Sequence, residues 1–319
     1  MAKMVSKQKL LLVKNQSVFN TPETSLGADD VVETVEQPEF SLNADVTEID
    51  HVAGAFDQDV AIPGIISYDI TAKVYMRTGG ASQSYGQIDK LLLASGMTGS
   101  TSGAVKTYQF TSTQSAYTAA TAWGYSGNKS TGGALLRKAG NIVWKPKWTI
   151  EAGKPVIMEI SGTGTYGGAA ASATQPSITK LRSNPPAFVA ATTITINGDS
   201  DYKVLKAEID AGQTTELTVD PAQTYGKGEA TITDRKIKWS ATVYQDLPST
   251  VDPETALINK TEGGLVFVYG TAPNKITFSC GYSQITDIKE GDEGGVQVWN
   301  LSGQCNRNDF SIILDTTTT

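Results

Sequence analysis

The stretch Ser67-Tyr68-Asp69-Ile70-Thr71-Ala72-Lys73-Val74-Tyr75 decides the fold. Tyr68, Ile70, Ala72 and Val74 fall on one side of an extended chain, and Ser67, Asp69, Thr71 and Lys73 on the other. That period of two is the signature of a strand with one buried and one wetted face. The pattern returns in the second half as Lys236-Ile237-Lys238-Trp239-Ser240-Ala241-Thr242-Val243-Tyr244, which ends in the same Ala-x-Val-Tyr. A sequence that repeats its most regular strand invites a search for a repeated unit around it.

Outward from these strands the two halves keep one order. A short helix follows each. In the first half Ser84-x-x-Gln87 reads as a capping box, Ile88, Leu91 and Leu92 share a face, and Gly96 suits the position after the C-cap. In the second, Asp252 reads as N-cap, Pro253 as first helical residue and Glu254 as first-turn acid. Further strands are expected near Val105–Phe110, Ile142–Ile150 and Val156–Ser161. The closing strands correspond, "PVIMEISGTG" at 155–164 with "GVQVWNLSGQ" at 295–304. Long polar loops, about 43–64 and about 211–230, precede the alternating strands, and loops of that length are usually functional. The expected organisation is an N-terminal arm over 1–36, a first β-domain over 37–174, a linker over 175–186 containing Pro176, Pro185 and Pro186, and a second β-domain over 187–319.

Composition supports a mainly β chain. In 319 residues only 18% are charged, with 31 glycines and many Thr, Ser, Val and Ile. A formal charge of −7 opposes a surface built to grip phosphates. The one basic cluster, Lys3, Lys7, Lys9 and Lys14, reads as a solvated tail. The start of the chain is expected to carry no signal peptide, since Leu10–Val13 is too short an apolar run. No stretch reaches the roughly 18 apolar residues of a membrane span. Cys280 and Cys305 lie in different expected strands without metal-ligand spacing and read as buried free thiols.

Apparent motifs weaken in context. Gly162-x-Gly164-x-x-Gly167 has dinucleotide-fingerprint spacing, but no helix and no acid about 20 residues on accompany it. Its glycines are expected to turn the chain out of the sheet, and no cofactor is expected. His51 is the only histidine, so a Ser-His-Asp triad would rest entirely on it. The i, i+2 pairs Glu48/Asp50, Asp57/Asp59 and Glu208/Asp210 put two carboxylates on one strand face, the arrangement of a glycosidase or a calcium site; a solvated face explains them as well. Trp144 and Trp148 are expected to share one strand face in core or interface packing. No catalytic or metal-binding residues are assigned.

Several runs, in order, carry a resemblance: "ETSLGADD" at 23–30, "GQIDKLLLASGM" at 86–97, "WTIEAGKPVIMEISGTG" at 148–164, "LKAEIDAGQ" at 205–213, and "ITDRKIKWSATVYQD" at 232–246 followed by "VDPETAL". The chain resembles the tail tube proteins of long-tailed bacteriophages from about residue 20 onward. The resemblance implies two tandem β-sandwich or partial-barrel domains, each with a short flanking helix. It implies rings stacked into a tube, with strands of neighbouring subunits continuing around a lumen that genomic DNA crosses on ejection. It implies self-association and contact with the tape measure, tail terminator and distal tail proteins, DNA passage without specific binding, and no membrane insertion. The expected location is the virion tail, after synthesis in the host bacterial cytoplasm. Two domains per subunit imply trimeric rings with pseudo-six-fold symmetry. Lumen candidates are Ser67, Asp69, Thr71 and Lys73 in one half and Lys206, Glu208 and Asp210 in the other. Candidates for ring-to-ring contact are Asp50, His51, Asp57, Asp59, Thr218 and Asp220. The competing expectation is a non-enzymatic decoration or host-binding β-sandwich.

Overall fold

Strands alternate with short connections along nearly the whole chain. The computed structural model describes residues 9–47, 62–80, 83–127, 133–177, 185–187, 193–223 and 225–318. The elements of the first half are β1 (Lys9–Asn15), β2 (Val31–Val32), β3 (Glu39–Thr47), β4 (Ile62–Tyr75), α1 (Gly86–Leu93), β5 (Met97–Ser102), β6 (Val105–Phe110), β7 (Ala120–Gly127), β8 (Ala134–Ile142), β9 (Lys145–Glu151), β10 (Ile157–Tyr166) and β11 (Ala171–Ala173). The second half holds β12 (Thr193–Thr195), β13 (Val204–Asp210), β14 (Gln213–Val219), β15 (Lys227–Arg235), β16 (Lys238–Tyr244), α2 (Pro253–Ile258), β17 (Glu262–Tyr269), β18 (Lys275–Glu293), β19 (Val296–Cys305) and β20 (Phe310–Asp315). The fold is mainly β and antiparallel, and its main sheet does not close into a barrel.

The opening stretch behaves as its alternation requires. Tyr68, Ile70, Ala72 and Val74 are buried within β4, and β10 and β3 flank it in antiparallel register. The core is continuous across the two halves. Trp148 of β9 lies 5.7 Å from Phe278 and 5.6 Å from Phe310, ring centre to ring centre, and Trp144 is equally buried. Such aromatic contacts add to the apolar area they remove from water.

Several expectations are corrected. Helix α1 begins at Gly86 behind Tyr85, not at Ser84, whose carbonyl instead receives the Gly79 N–H. Gln87 makes no cap; its side chain accepts from the Glu33 N–H (2.7 Å) and donates to the Glu33 carbonyl (3.1 Å). The helix ends at Ala94, so Gly96 sits one residue beyond the expected position, in the left-handed conformation its φ of +75° requires. The expected strand over 142–150 is two strands, broken where Asn141 takes φ +51° and the Trp144 N–H turns to the Ala94 carbonyl. Gly162 and Gly164 lie inside β10, opposite Ile70 and Tyr68, and do not turn the chain out of the sheet. A Cβ on Gly162 would come within 2.9 Å of Ile142, and one on Gly164 within 2.6 Å of the same side chain. They are glycines because strand and core meet closely there.

The start of the chain is not a solvated tail from residue 9 on. β1 pairs with β7, and Leu11, Leu12 and Val13 are wholly buried. The second long loop is a hairpin, β14–β15, which folds onto the first half. Asn141 donates to the Gly228 carbonyl, the Gln213 amide to the Trp144 carbonyl, and Ala230 N–H to Asn20. Arg235 reaches the Thr111 and Gly96 carbonyls over the Phe110 ring, and burial pulls its guanidinium down to about 10. Helix α2 matches its sequence signals: Asp252 accepts from the Thr255 N–H at 2.9 Å ahead of Pro253.

Candidate assembly face and strand edges

Strands β3, β4, β10 and β9 lie side by side, and so do β13, β16, β19 and β18. The two sets join through β9 and β13, whose register places Asp210 opposite Lys147 and Glu208 opposite Thr149. Opposed residues of antiparallel strands share a face. One face of this eight-strand array is the core; the other is polar.

A row of that polar face can be followed across six strands. Lys73 opposes Glu159, Glu159 opposes Lys147, Lys147 opposes Asp210, Asp210 opposes Lys238, and Lys238 opposes Gln304. Charge therefore alternates over the first five strands, and the row ends on the neutral Gln304. Around the seam the pairing is direct: Lys147 Nζ is 3.0 Å from Glu208, and Lys206 Nζ is 3.1 Å from it. The hydrogen bond from Lys147 is the main cause holding the Glu208 carboxyl below its ordinary value, and the same bond raises the Lys147 ammonium. Thr163 donates to Asp69 at 2.7 Å, and Lys73 reaches Glu36 at 3.2 Å.

All seven expected lumen residues, Ser67, Asp69, Thr71, Lys73, Lys206, Glu208 and Asp210, fall on this one face. They are not equally open: Ser67 is only 5% exposed, near where Ile66 N–H meets the Tyr225 carbonyl of the folded-back hairpin, whereas Thr71, Lys206 and Asp210 are exposed. Lys145, Lys147, Glu159 and Lys238 belong to the same face and were missed. The signal that finds them is the alternation within 145–151, 157–163 and 238–244, read as a continuation of the first strand's polar side.

Of the expected ring-to-ring residues, Asp50, His51, Asp57 and Asp59 lie outside the described residues. So do Glu48 and most of the 175–186 linker. Thr218 and Asp220 sit at the far end of the β14–β15 hairpin. There Thr218 accepts from the Glu229 N–H and Asp220 from the Ala222 N–H, beside Val219, which is 65% exposed. Cys280 is buried and Cys305 half-buried, both as thiols, on adjacent strands.

The two four-strand sets agree in register. Gly162 opposes Ile70 and Thr71 opposes Glu39 in the first; Gly303 opposes Trp239 and Ser240 opposes Glu208 in the second. Each array ends in an edge. Among the described residues β3 pairs only with β4, and the Asp287–Glu293 part of β18 only with β19.

A polar face of mixed charge over an apolar core, with strand edges at both ends that no described residue pairs, defines a mainly β protein. Its place among such proteins comes from comparison. A family model described as phage tail tube protein matches residues 6–305, and the chain belongs to that family. No curated protein matches it. It is thus a component of a phage tail, of a kind that self-assembles into a tube alongside other tail proteins. No helix among the described residues is long and apolar enough to cross a membrane.

Proposed function

We propose that three copies of this chain close into a ring with pseudo-six-fold symmetry. The rings stack into the tail tube, and the polar face lines the channel through which DNA leaves for the host. The observation that carries this reading is the shared register of β3-β4-β10-β9 and β13-β16-β19-β18, joined edge to edge through β9 and β13. It supports a duplicated domain, one in each half. A join that repeats between equivalent units, inside and between chains, generates a closed ring and removes the bare edges that would otherwise aggregate.

The conduit is passive and performs no catalysis. DNA carries one charge per roughly 1.7 Å of axis, and a lysine-rich lining would hold it by releasing its counterions. A face on which Lys73, Lys147 and Lys238 are each opposed by a carboxylate or an amide offers no such release. The hairpin end bearing Thr218, exposed Val219 and Asp220 is the proposed contact with the next ring, with tape measure, terminator and distal tail proteins at the ends of the stack. Native mass spectrometry of rings tests the count: three chains are expected, and six would overturn it. Glu208→Lys with Asp210→Lys, in assembled particles, is expected to slow genome delivery; unchanged infectivity would remove these positions from the channel.

A further inference from the structure

We propose that the bare edge of β3 pairs antiparallel with Asp287–Glu293 of a second copy of this chain, in a register that the internal β9–β13 seam dictates. The proposal rests on the ring reading above and names its interface. β13 stands to β16 as β3 stands to β4: Glu208 opposes Ser240 as Glu39 opposes Thr71, and Asp210 opposes Lys238 as Ser41 opposes Asp69. On the other side of the seam, Lys147 opposes Glu159 on β10, and Lys289 opposes Asn300 at the matching place on β19. Carrying the seam over by these equivalences sets Ser41 opposite Lys289 and Glu39 opposite Gly291.

The residue types at the transferred positions are those the seam uses. Within the chain Lys147 bridges to Glu208 at 3.0 Å, and the transferred partners are again a lysine and a glutamate, Lys289 and Glu39. Next along the seam, Ala211 N–H donates to the Pro146 carbonyl at 3.2 Å, with both side chains buried. The transferred pair is Leu42 with Ile288, and it gives an apolar partner to Leu42, which is 57% exposed in the single chain. Pro38, which has no N–H, ends the ladder just before Glu39. An apolar residue on an unpaired edge is a liability unless a second strand covers it, and here that strand is supplied by the neighbour.

Cysteine pairs in the full chain test the register under mild oxidation. Ser41→Cys with Lys289→Cys places two thiols directly opposite, within the reach a disulfide needs. Ser41→Cys with Glu290→Cys shifts one thiol to the other face, and Cys280 and Cys305 are common to both. The matched pair is expected to give covalent multimers up to a closed ring, and the shifted pair to lose most of that product. In the chain that keeps Ser41 and Lys289, Glu39→Lys is expected to lower ring and tube assembly, read by light scattering, about two- to fivefold, as loss of an exposed ion pair would, and Lys289→Glu in the same chain is expected to restore it. Melting of dissociated monomers shows whether a variant folds. Equal yields from matched and shifted pairs in samples that form tubes overturn the register and leave the tube reading standing. Failure of the unmodified chain to form rings or tubes at any concentration overturns both.

Discussion

Gly162 and Gly303 occupy matching places in the two four-strand arrays, which makes a single substitution informative at both. At Gly303 an added Cβ would lie 2.3 Å from two atoms of the Trp239 indole and 2.5 Å from the Gln284 carbonyl oxygen. At Gly162 the nearest atoms are Ile142 Cγ2 at 2.9 Å, Trp144 Cε3 at 3.1 Å and the Val143 carbonyl oxygen at 3.2 Å. The first site must move backbone or a wholly enclosed indole; the second needs a shift of a few tenths of an ångström in an aliphatic branch. Overpacking costs about 1–3 kcal/mol, which puts Gly162→Ala near the bottom of that span and Gly303→Ala at the top. Both substitutions also stiffen the unfolded chain, by the same amount, so that contribution cancels in the comparison. The remaining difference of about 2 kcal/mol corresponds to roughly 3 °C in thermal midpoint for a chain of this size. Melting the two variants as dissociated monomers, by circular dichroism or calorimetry, reads it directly. A Gly162→Ala variant that melts at or below Gly303→Ala would refute the claim that Trp239 and Gln284 define the tighter site.

Gln87→Ala removes both side-chain hydrogen bonds to the Glu33 backbone and is expected to cost about 2 kcal/mol; Gln87→Glu, which keeps only the acceptor, is expected to cost about half. Equal melting of the two variants would assign the loss to packing instead. Glu23 accepts from the Ser17 N–H, the largest cause, and pairs with Lys14 at 3.0 Å, which together hold its carboxyl at about 2 against an ordinary 4.5. A depressed carboxyl stabilises the fold above the unfolded value and ceases to do so as pH falls through the folded one. The gap in melting temperature between the natural chain and Glu23→Gln is therefore expected to be constant at neutral pH, to narrow below 4.5 and to close near 2. A gap that persists at pH 2 would separate it from ionisation.

The alternating strands and the helix at Asp252 were legible because near neighbours alone decide them. Tyr68 to Val74 announce their burial by spacing, and Asp252-Pro253-Glu254 carries its own cap. The polar side of the Ser67–Tyr75 strand is legible for the same reason, save that Ser67 is buried. What failed depends on partners far away in the chain. A glycine that turns a strand and one that lets two layers touch look alike in sequence; only Ile142 and Trp144, packed over β10, tell them apart. Ile142-Val143-Trp144 reads as an unbroken apolar run until the Ala94 carbonyl takes the Trp144 N–H. The polar stretch 211–235 gave no hint that it would lie on Asn20, Thr111 and Asn141, and the β9–β13 seam follows from strand edges that no local pattern marks.

Strand β20 fits between one strand of the first half and one of the second. β20 pairs with β18 on one side and β6 on the other, and just past its end Thr316 donates to the Ala104 carbonyl, 212 positions back. Contacts of such separation form late, since the intervening chain must first be confined. In a chain cut short before Phe310, β6 and β18 both lack their common neighbour and Phe110, Phe278 and Trp148 lose the ring of Phe310 from their stack. Phe310–Asp315 is thus a keystone for both halves at once: a subunit lacking it loses a pairing partner in each.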